Sequence, residues 1–196
     1  MPYDLFTHRH NFAVWAAARA AQRGFTSVQN LAAALEASGV HRFLADLESL
    51  NITCERFEEL HRIWCRTIVD YLNDCKIKNV TYGRAAKLLA VYLKSMVVTG
   101  GAGYSSLARC IHPPIDRRLL QALAGDIRYA EEKRVAWRQT NWTQLNEAEY
   151  YELIEGLRGV LPAESPFWML EKYWTASDKE GQIVLGSDLR NPFKYQ

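Results

Sequence analysis

Apolar residues recur at steps of three and four along most of the 196-residue chain, a pattern that predicts a succession of amphipathic helices. Alternation with a period of two is confined to short pieces such as residues 183–185. We therefore expect an all-α protein. The expected helices cover approximately residues 8–23, 27–38, 54–74, 82–98, 117–124, 127–138, 147–158 and 167–174.

Short polar residues stand where most of these helices should begin, and their side chains can accept hydrogen bonds from the first helical turn. The first helix is expected to follow Thr7, and the last to follow Ser165-Pro166. The other candidate caps are Thr26 or Ser27, Thr53, Asp116 and Asn146. Glycines at positions 100, 101 and 103 are expected to form a loop after the central helix.

Composition and cysteine spacing narrow the class of protein. Hydrophobic residues make up 48% of the chain and aromatic residues 12%, which is enough for one folded domain. The chain has no run of about 18 apolar residues, so we expect no membrane span. Its first residues contain no apolar core, so we expect no signal peptide. The four cysteines show no metal-ligand spacing, so we expect free thiols, a cytoplasmic protein, and neither metal nor cofactor. They are Cys54, Cys65, Cys75 and Cys110.

Basic residues concentrate in the middle of the chain. From Lys76 to Arg118 there are eight lysines and arginines and a single acid, Asp116, although the whole chain has a net charge of only +2. Such a run favours a surface for a polyanion such as a nucleic acid. A solvated helix surface on which basic residues cluster by chance is the alternative.

The segment Gly83-Arg84-Ala85-Ala86-Lys87 combines glycine, small residues and lysine near a helix start. Small residues let a backbone approach a phosphate, and helix N-termini favour anions. Lys94 lies seven residues after Lys87 and so shares a helical face with it. On periodicity alone, an exposed lysine face without chemistry is the favoured interpretation.

Asp116 follows Pro113-Pro114 and stands at the expected N-cap of a helix. Hydrogen bonds to the cap should keep its carboxylate ionised at neutral pH. An ionised carboxylate beside a sugar can stabilise the oxocarbenium ion that forms when a glycosidic bond breaks. A purely structural cap is the alternative.

Together, the lysine segment and Pro113-Pro114-Ile115-Asp116-Arg117 resemble the helix-hairpin-helix DNA glycosylases, in particular the 8-oxoguanine glycosylase branch in its compact archaeal form. The separation of 29 residues between Lys87 and Asp116 is similar to the separation of the corresponding residues in that form. Residues 166–174 resemble the closing helix of that form. Residues 11–24 resemble its first core helix more weakly. The usual pair of hairpin glycines is reduced to Gly83.

The resemblance implies a single all-α domain, 1–196, in which two helical lobes surround a cleft. One lobe would hold residues 25–110 and the other residues 1–24 and 111–196. It implies a monomer that binds double-stranded DNA with an extruded base. Lys87 would attack as a neutral amine of lowered pKa and form a Schiff base, which also permits lyase activity, and Asp116 would orient it. Lys94 is the rival nucleophile.

The resemblance also implies which other residues meet the DNA. The expected DNA contacts are Gly83, Arg84, Lys94, His112, Arg117 and Arg118. The expected base pocket comprises Trp15, Arg19, Trp168 and Trp174, each of which could instead belong to the core.

Three functions are open at this point. The first is a glycosylase, acting either on oxidised guanine in DNA repair or on a hypermodified base of phage DNA in antiviral defence. The second is a catalytically inactive DNA-binding module of the same fold. The third is a helical protein-interaction domain.

Overall fold

The computed structural model describes residues 3–22, 24–46 and 51–174, and within these ranges it is helical without strands. This confirms the predicted all-α class. The α-helices in these ranges are α1 (Leu5–Gln22), α2 (Val28–Ser38), α3 (Val40–Phe43), α4 (Cys54–Asp74), α5 (Tyr82–Leu93), α6 (Ser106–Cys110), α7 (Arg117–Gly125), α8 (Glu131–Gln139) and α9 (Glu147–Arg158). A π-helical segment, Lys94–Ala102, extends α5, and 3-10 turns cover Leu44–Asp46, Trp142–Gln144 and Phe167–Tyr173.

Helix α5 lies at the centre of the protein and is buried along nearly its whole length. It packs chiefly along α1 and α4, and α2 packs on both of these helices. The α7–α8 pair and the 3-10 segment Phe167–Tyr173, which contacts α6 and α7, complete the C-terminal part. Helix α1 thus packs on helices that were assigned to the other lobe, and the division into two lobes stays a prediction.

Side-chain caps begin several helices at the predicted positions. Asn146 and Glu149 form a complete capping box at the start of α9. Ser27, Thr53 and Asp116 each accept a backbone N–H of the following turn. The first helix differs from the prediction, because it begins at Leu5 and the Asp4 carboxylate accepts the N–H of Thr7 at 2.8 Å.

Three boundaries differ from the periodicity-based prediction. Helical hydrogen bonding continues past Val98 into the expected glycine loop, until Gly101 turns to a φ of 99°. Helix α8 begins at Glu131 rather than near Ile127, which is exposed. The short helices α3 and α6 were not predicted, because four or five residues are too few to show a helical period.

The turn between α4 and α5 reverses the chain without glycine. Lys76 and Asn79 adopt the left-handed conformation there, with φ values of 59° and 60°. Glycine would take these angles at little steric cost, whereas other L-residues take them less readily. Glycine is therefore not needed to make this turn.

The cysteine prediction is wrong for two of the four residues. Cys54 at the start of α4 and Cys110 at the end of α6 form a disulfide across 56 positions of sequence. Cys65 is a buried free thiol and Cys75 an exposed one. The sequence could not reveal the pairing because it depends on how α4 and α6 pack, not on local spacing.

Residues Tyr82–Ala102 are the one helical stretch of the described ranges that is long and apolar enough to cross a membrane by length and composition. In the structure this stretch is the central helix, packed between α1 and α4. Among the described residues, no group of three His, Cys, Asp or Glu side chains is placed to hold a metal ion.

Candidate functional site

Lys87 and Asp116 meet between α5 and α7. The Lys87 Nζ donates a hydrogen bond to Asp116 Oδ2 at 3.0 Å, although 29 residues separate the two. Lys87 lies in the second turn of α5, and Asp116 is the N-cap of α7. Because Asp116 Oδ1 accepts the N–H of Leu119 at 3.0 Å, the cap fixes the carboxylate and leaves Oδ2 for the lysine.

Two tryptophans cover this pair. The Trp142 ring lies 4.7 Å from Lys87 Nζ, and Trp174 Nε1 donates to Asp116 Oδ2 at 3.2 Å. Lys87 is only 4% exposed and Asp116 5%, whereas Trp174 is 40% exposed. The exposed lysine face favoured by periodicity is therefore wrong for Lys87. The amine is therefore closed to a nucleotide in this structure, and access would require surrounding side chains, such as the partly exposed Trp174, to move.

The carboxylate of Asp116 is ionised at neutral pH. Burial by itself would raise its pKa, but the charge of Lys87 acts in the opposite direction. Hydrogen bonds from Leu119, Lys87 and Trp174 add to the effect of that charge, and together they hold the pKa of Asp116 below its usual value. The site therefore holds a fixed negative charge against a primary amine.

A second ion pair lies further along the central helix. Lys94, the rival nucleophile, donates to Glu171 Oε2 and is about one-third exposed in its side chain. Burial raises the pKa of Glu171, the charge of Lys94 opposes this, and the negative charge of Asp116 raises it further. The two pairs therefore interact electrostatically. Within the described residues, Glu171 Oε1 is buried without a hydrogen-bond partner.

No pattern in the sequence marked Trp142 or Glu171 as a residue of this site. Trp142 lies in a 3-10 turn between α8 and α9, which is too short to show periodicity. Glu171 lies inside the segment that resembles a glycosylase closing helix. A single glutamate in a helical pattern, however, predicts an exposed side chain. Lys94 of the central helix pairs with Glu171, and the segment that carries it contacts α6 and α7.

The structure leaves Gly83 without a free backbone N–H for the predicted phosphate contact. Its N–H donates to the carbonyl of Leu145 at 3.0 Å, so it is already used within the protein. A Cβ at this position would lie 2.0 Å from the carbonyl oxygen of Trp142. Glycine is thus required for the close approach of α5 to the turn that carries Trp142.

Gly83→Ala is expected to lower the free energy of unfolding by about 1–3 kcal/mol, because the Trp142 backbone must move to admit the methyl group. Urea unfolding measures the change. The matched control is Gly156→Ala in α9, where an added Cβ meets nothing within 4 Å. That control should be neutral or more stable by up to about 1 kcal/mol, as alanine favours a helix over glycine. Equal losses in both variants would contradict this account of Gly83.

His112, predicted to contact DNA, has its side chain buried in an aromatic cluster. His112 is 1% exposed, and its Nδ1 is 3.1 Å from the hydroxyl of Tyr150. Its ring lies 4.5 Å from that of His61, which is also buried. No phosphate at the surface can reach it, so His112 belongs to the core.

This cluster predicts a loss of stability in weak acid. Burial, with smaller effects from neighbouring positive charges, lowers the pKa of His61 to about 3 and that of His112 well below 6.5. The unfolded chain therefore binds more protons than the folded protein below pH about 6.5. The contribution of the two neutral histidines to stability is fully present above that pH. As the pH falls further, each histidine should lower the free energy of unfolding by up to about 1.4 kcal/mol per pH unit.

Urea unfolding at pH 7.5 and 5.5 measures this loss. His112→Gln removes one titrating group, so its stability should fall less between the two pH values than that of the unsubstituted protein. Carboxylates are shared by both proteins and cancel in the comparison. An identical pH dependence would mean that His112 is not held neutral by burial.

The predicted arginines divide between two environments. Arg84 is half-buried with its guanidinium 4.4 Å from the Phe25 ring, and Arg117 is exposed at the start of α7. Both line a cavity of about 380 Å³ that also includes Arg138 and Trp142. Arg118 is half-buried on α7 and is not among the residues that line it.

One of the four expected base-pocket residues touches the Lys87–Asp116 pair, and that residue is Trp174. Trp168 instead donates from Nε1 to the Gly103 carbonyl at 2.8 Å, which ties the closing segment to the end of the central helix. Trp15 and Arg19 are exposed on α1, where the Trp15 ring lies 5.9 Å from that of Phe12.

No protein-family model, curated protein or solved structure matches this chain. Its function is therefore argued from the geometry and chemistry of the site.

Proposed function

We propose that the protein is a DNA glycosylase that removes a damaged or modified base with Lys87 as nucleophile and Asp116 as its partner. The observation that carries the proposal is the 3.0 Å hydrogen bond between Lys87 Nζ and Asp116 Oδ2. A buried ion pair is often no more stabilising than well-packed hydrophobic residues. Stability alone therefore does not explain a buried amine and carboxylate in contact, whereas a catalytic role would.

Removal of a base by this mechanism requires mainly these two groups. The Lys87 ammonium would first pass a proton to water, and its neutral amine would then attack C1′ of the sugar. A C1′–N bond to Lys87 would form as the glycosidic bond breaks. The electron pair of that bond would leave with the base, and a proton from the amine would end on the base. Asp116 would hold the amine and stabilise the positive charge of the sugar in the transition state. Opening of the sugar ring then leaves a Schiff base, from which β-elimination would give lyase activity.

The basic surroundings support DNA as the substrate class. Arg84 lies one helical turn before Lys87, and Arg117 directly follows Asp116. Both line the cavity whose wall includes Trp142, the residue that covers the Lys87 amine. A polyanion held at these arginines would therefore be next to the proposed nucleophile.

The near-complete burial of Lys87 and Asp116 favours a second candidate, a catalytically inactive DNA-binding module. In that protein the pair would be a structural connection between α5 and α7, and Trp174 would never leave it. The two candidates share the basic cavity and differ only in whether a nucleotide reaches the amine.

A panel of duplexes carrying single oxidised, alkylated, deaminated or glucosylated bases tests the proposal, with released base measured by chromatography. The glycosylase should release one class of base and leave unmodified DNA intact. Release of oxidised guanine would indicate repair, and release of a glucosylated base would indicate defence against phage. Salt-dependent binding without release of any base would establish the inactive module instead.

A further inference from the structure

The cavity beside the site is lined by three arginines that come from distant parts of the chain. Arg84 comes from the start of α5, Arg117 from the start of α7 and Arg138 from the last turn of α8. The remaining lining residues, positions 139–143, run from the last residue of α8 into the 3-10 turn. No acidic side chain is among the described residues that line this cavity, so its wall carries three positive charges and no negative one.

Arg84 shows that the positive charge of the cavity is incompletely compensated. Its Nε is buried and makes no hydrogen bond to any described residue. Burial lowers the pKa of its guanidinium, the response of a cation that has lost water without gaining a counter-charge. The Phe25 ring covers the guanidinium at 4.4 Å and leaves its N–H groups as the polar edge.

Arg138 is exposed, lines the same cavity as Arg84 and contacts the end of a neighbouring helix. Its Nη2 lies 3.5 Å from the carbonyl of Ala124 near the C-terminus of α7, a weak contact that leaves the other donors of the guanidinium. Guanidinium groups bind phosphate oxygens through paired N–H donors, and a cluster of them without acids is typical of a phosphate site.

We propose that this cavity binds a phosphodiester group of the DNA strand that carries the target nucleotide, with Arg84, Arg117 and Arg138 as its ligands. That the strand is DNA rests on the proposed function. Trp142 lines the cavity and its ring also contacts Lys87, so a bound phosphate would lie on the other side of this ring from the amine. The proposal adds Arg138, which no sequence motif indicated, to the groups that position the substrate.

The test measures binding of a duplex with a tetrahydrofuran abasic-site analogue over a range of salt concentrations. Arg138→Gln should weaken binding and reduce the slope of log K against log salt by about one, the value for one lost phosphate contact. Arg138→Lys should keep the slope but bind more weakly, because an ammonium cannot form the paired hydrogen bonds. The matched control is Lys133→Gln, which removes an exposed charge from the same helix outside this cavity.

Inorganic phosphate alone provides the second arm, followed through the Nε–H resonance of Arg84 by NMR. A shift of that resonance by phosphate, together with the slope change in Arg138→Gln, supports the strand site. A shift by phosphate without any slope change would overturn it in favour of a site for free phosphate. Equal slopes for Arg138→Gln and Lys133→Gln with no shift would overturn it altogether. A slope change in a protein that releases no base would support the phosphate site while refuting the glycosylase.

Discussion

Asp116→Asn should abolish nearly all base release, by about 10²- to 10⁴-fold, while DNA binding persists. Asparagine is as good an N-cap as aspartate, so the hydrogen bond to the Leu119 N–H that begins α7 is retained. What is lost is the negative charge that faces Lys87 Nζ at 3.0 Å. Single-turnover release of base from the duplex identified by the panel measures the effect.

The matched control is Asp4→Asn, the same chemical change at another helix start. Asp4 is exposed and its carboxylate accepts the N–H of Thr7 at 2.8 Å, so its replacement should leave base release unchanged. If Asp116→Asn kept full activity, the catalytic assignment of Asp116 would be wrong, whatever its structural role.

Lys87→Met is expected to lower the free energy of unfolding by about 3–5 kcal/mol, because it leaves the buried carboxylate of Asp116 without the amine that compensates it. The double substitution Lys87→Met with Asp116→Asn removes both charges and should regain much of that loss. Urea unfolding of the two single variants and the double variant gives the coupling between the side chains. The exposed pair Arg56–Glu59 on α4 provides the control cycle, and its coupling should be much smaller.

Additive effects of the two substitutions would contradict the view that Lys87 and Asp116 form one buried unit. The same proteins also separate stability from catalysis. The double variant should fold nearly as well as the unsubstituted protein and still release no base, so that loss of activity cannot be attributed to unfolding.

Local features of the fold could be predicted from the sequence, because helix starts depend on neighbouring residues. The Asn146–Glu149 capping box and the cap at Asp116 are confirmed. The end of the central helix was not predictable, because the π-helical turn to Gly101 is held by contacts with distant residues such as Arg9 beside Gly100. Disulfide pairing between Cys54 and Cys110 likewise depends on the packing of α4 against α6.

The proximity of Lys87 to Asp116 followed from a resemblance in motif and spacing, not from periodicity, which favoured a solvated lysine. Gly83 and His112 were expected at the DNA surface from the same motifs, yet both are buried. A motif fixes which residues are neighbours in sequence, whereas burial depends on what packs over them. Trp142 and Arg138 were missed for the same reason, because each reaches the site only through the packing of α8 and the turn after it.

Borohydride trapping followed by peptide mapping tests the central claim most directly. Incubation with the DNA substrate and sodium borohydride should reduce the Schiff base to a stable amine, and mass spectrometry should find the DNA-derived mass on Lys87. The adduct should be absent from Lys87→Met and from the double variant. A DNA-derived mass on Lys94, or no adduct in a protein that releases base, would contradict the assignment of Lys87 as the nucleophile.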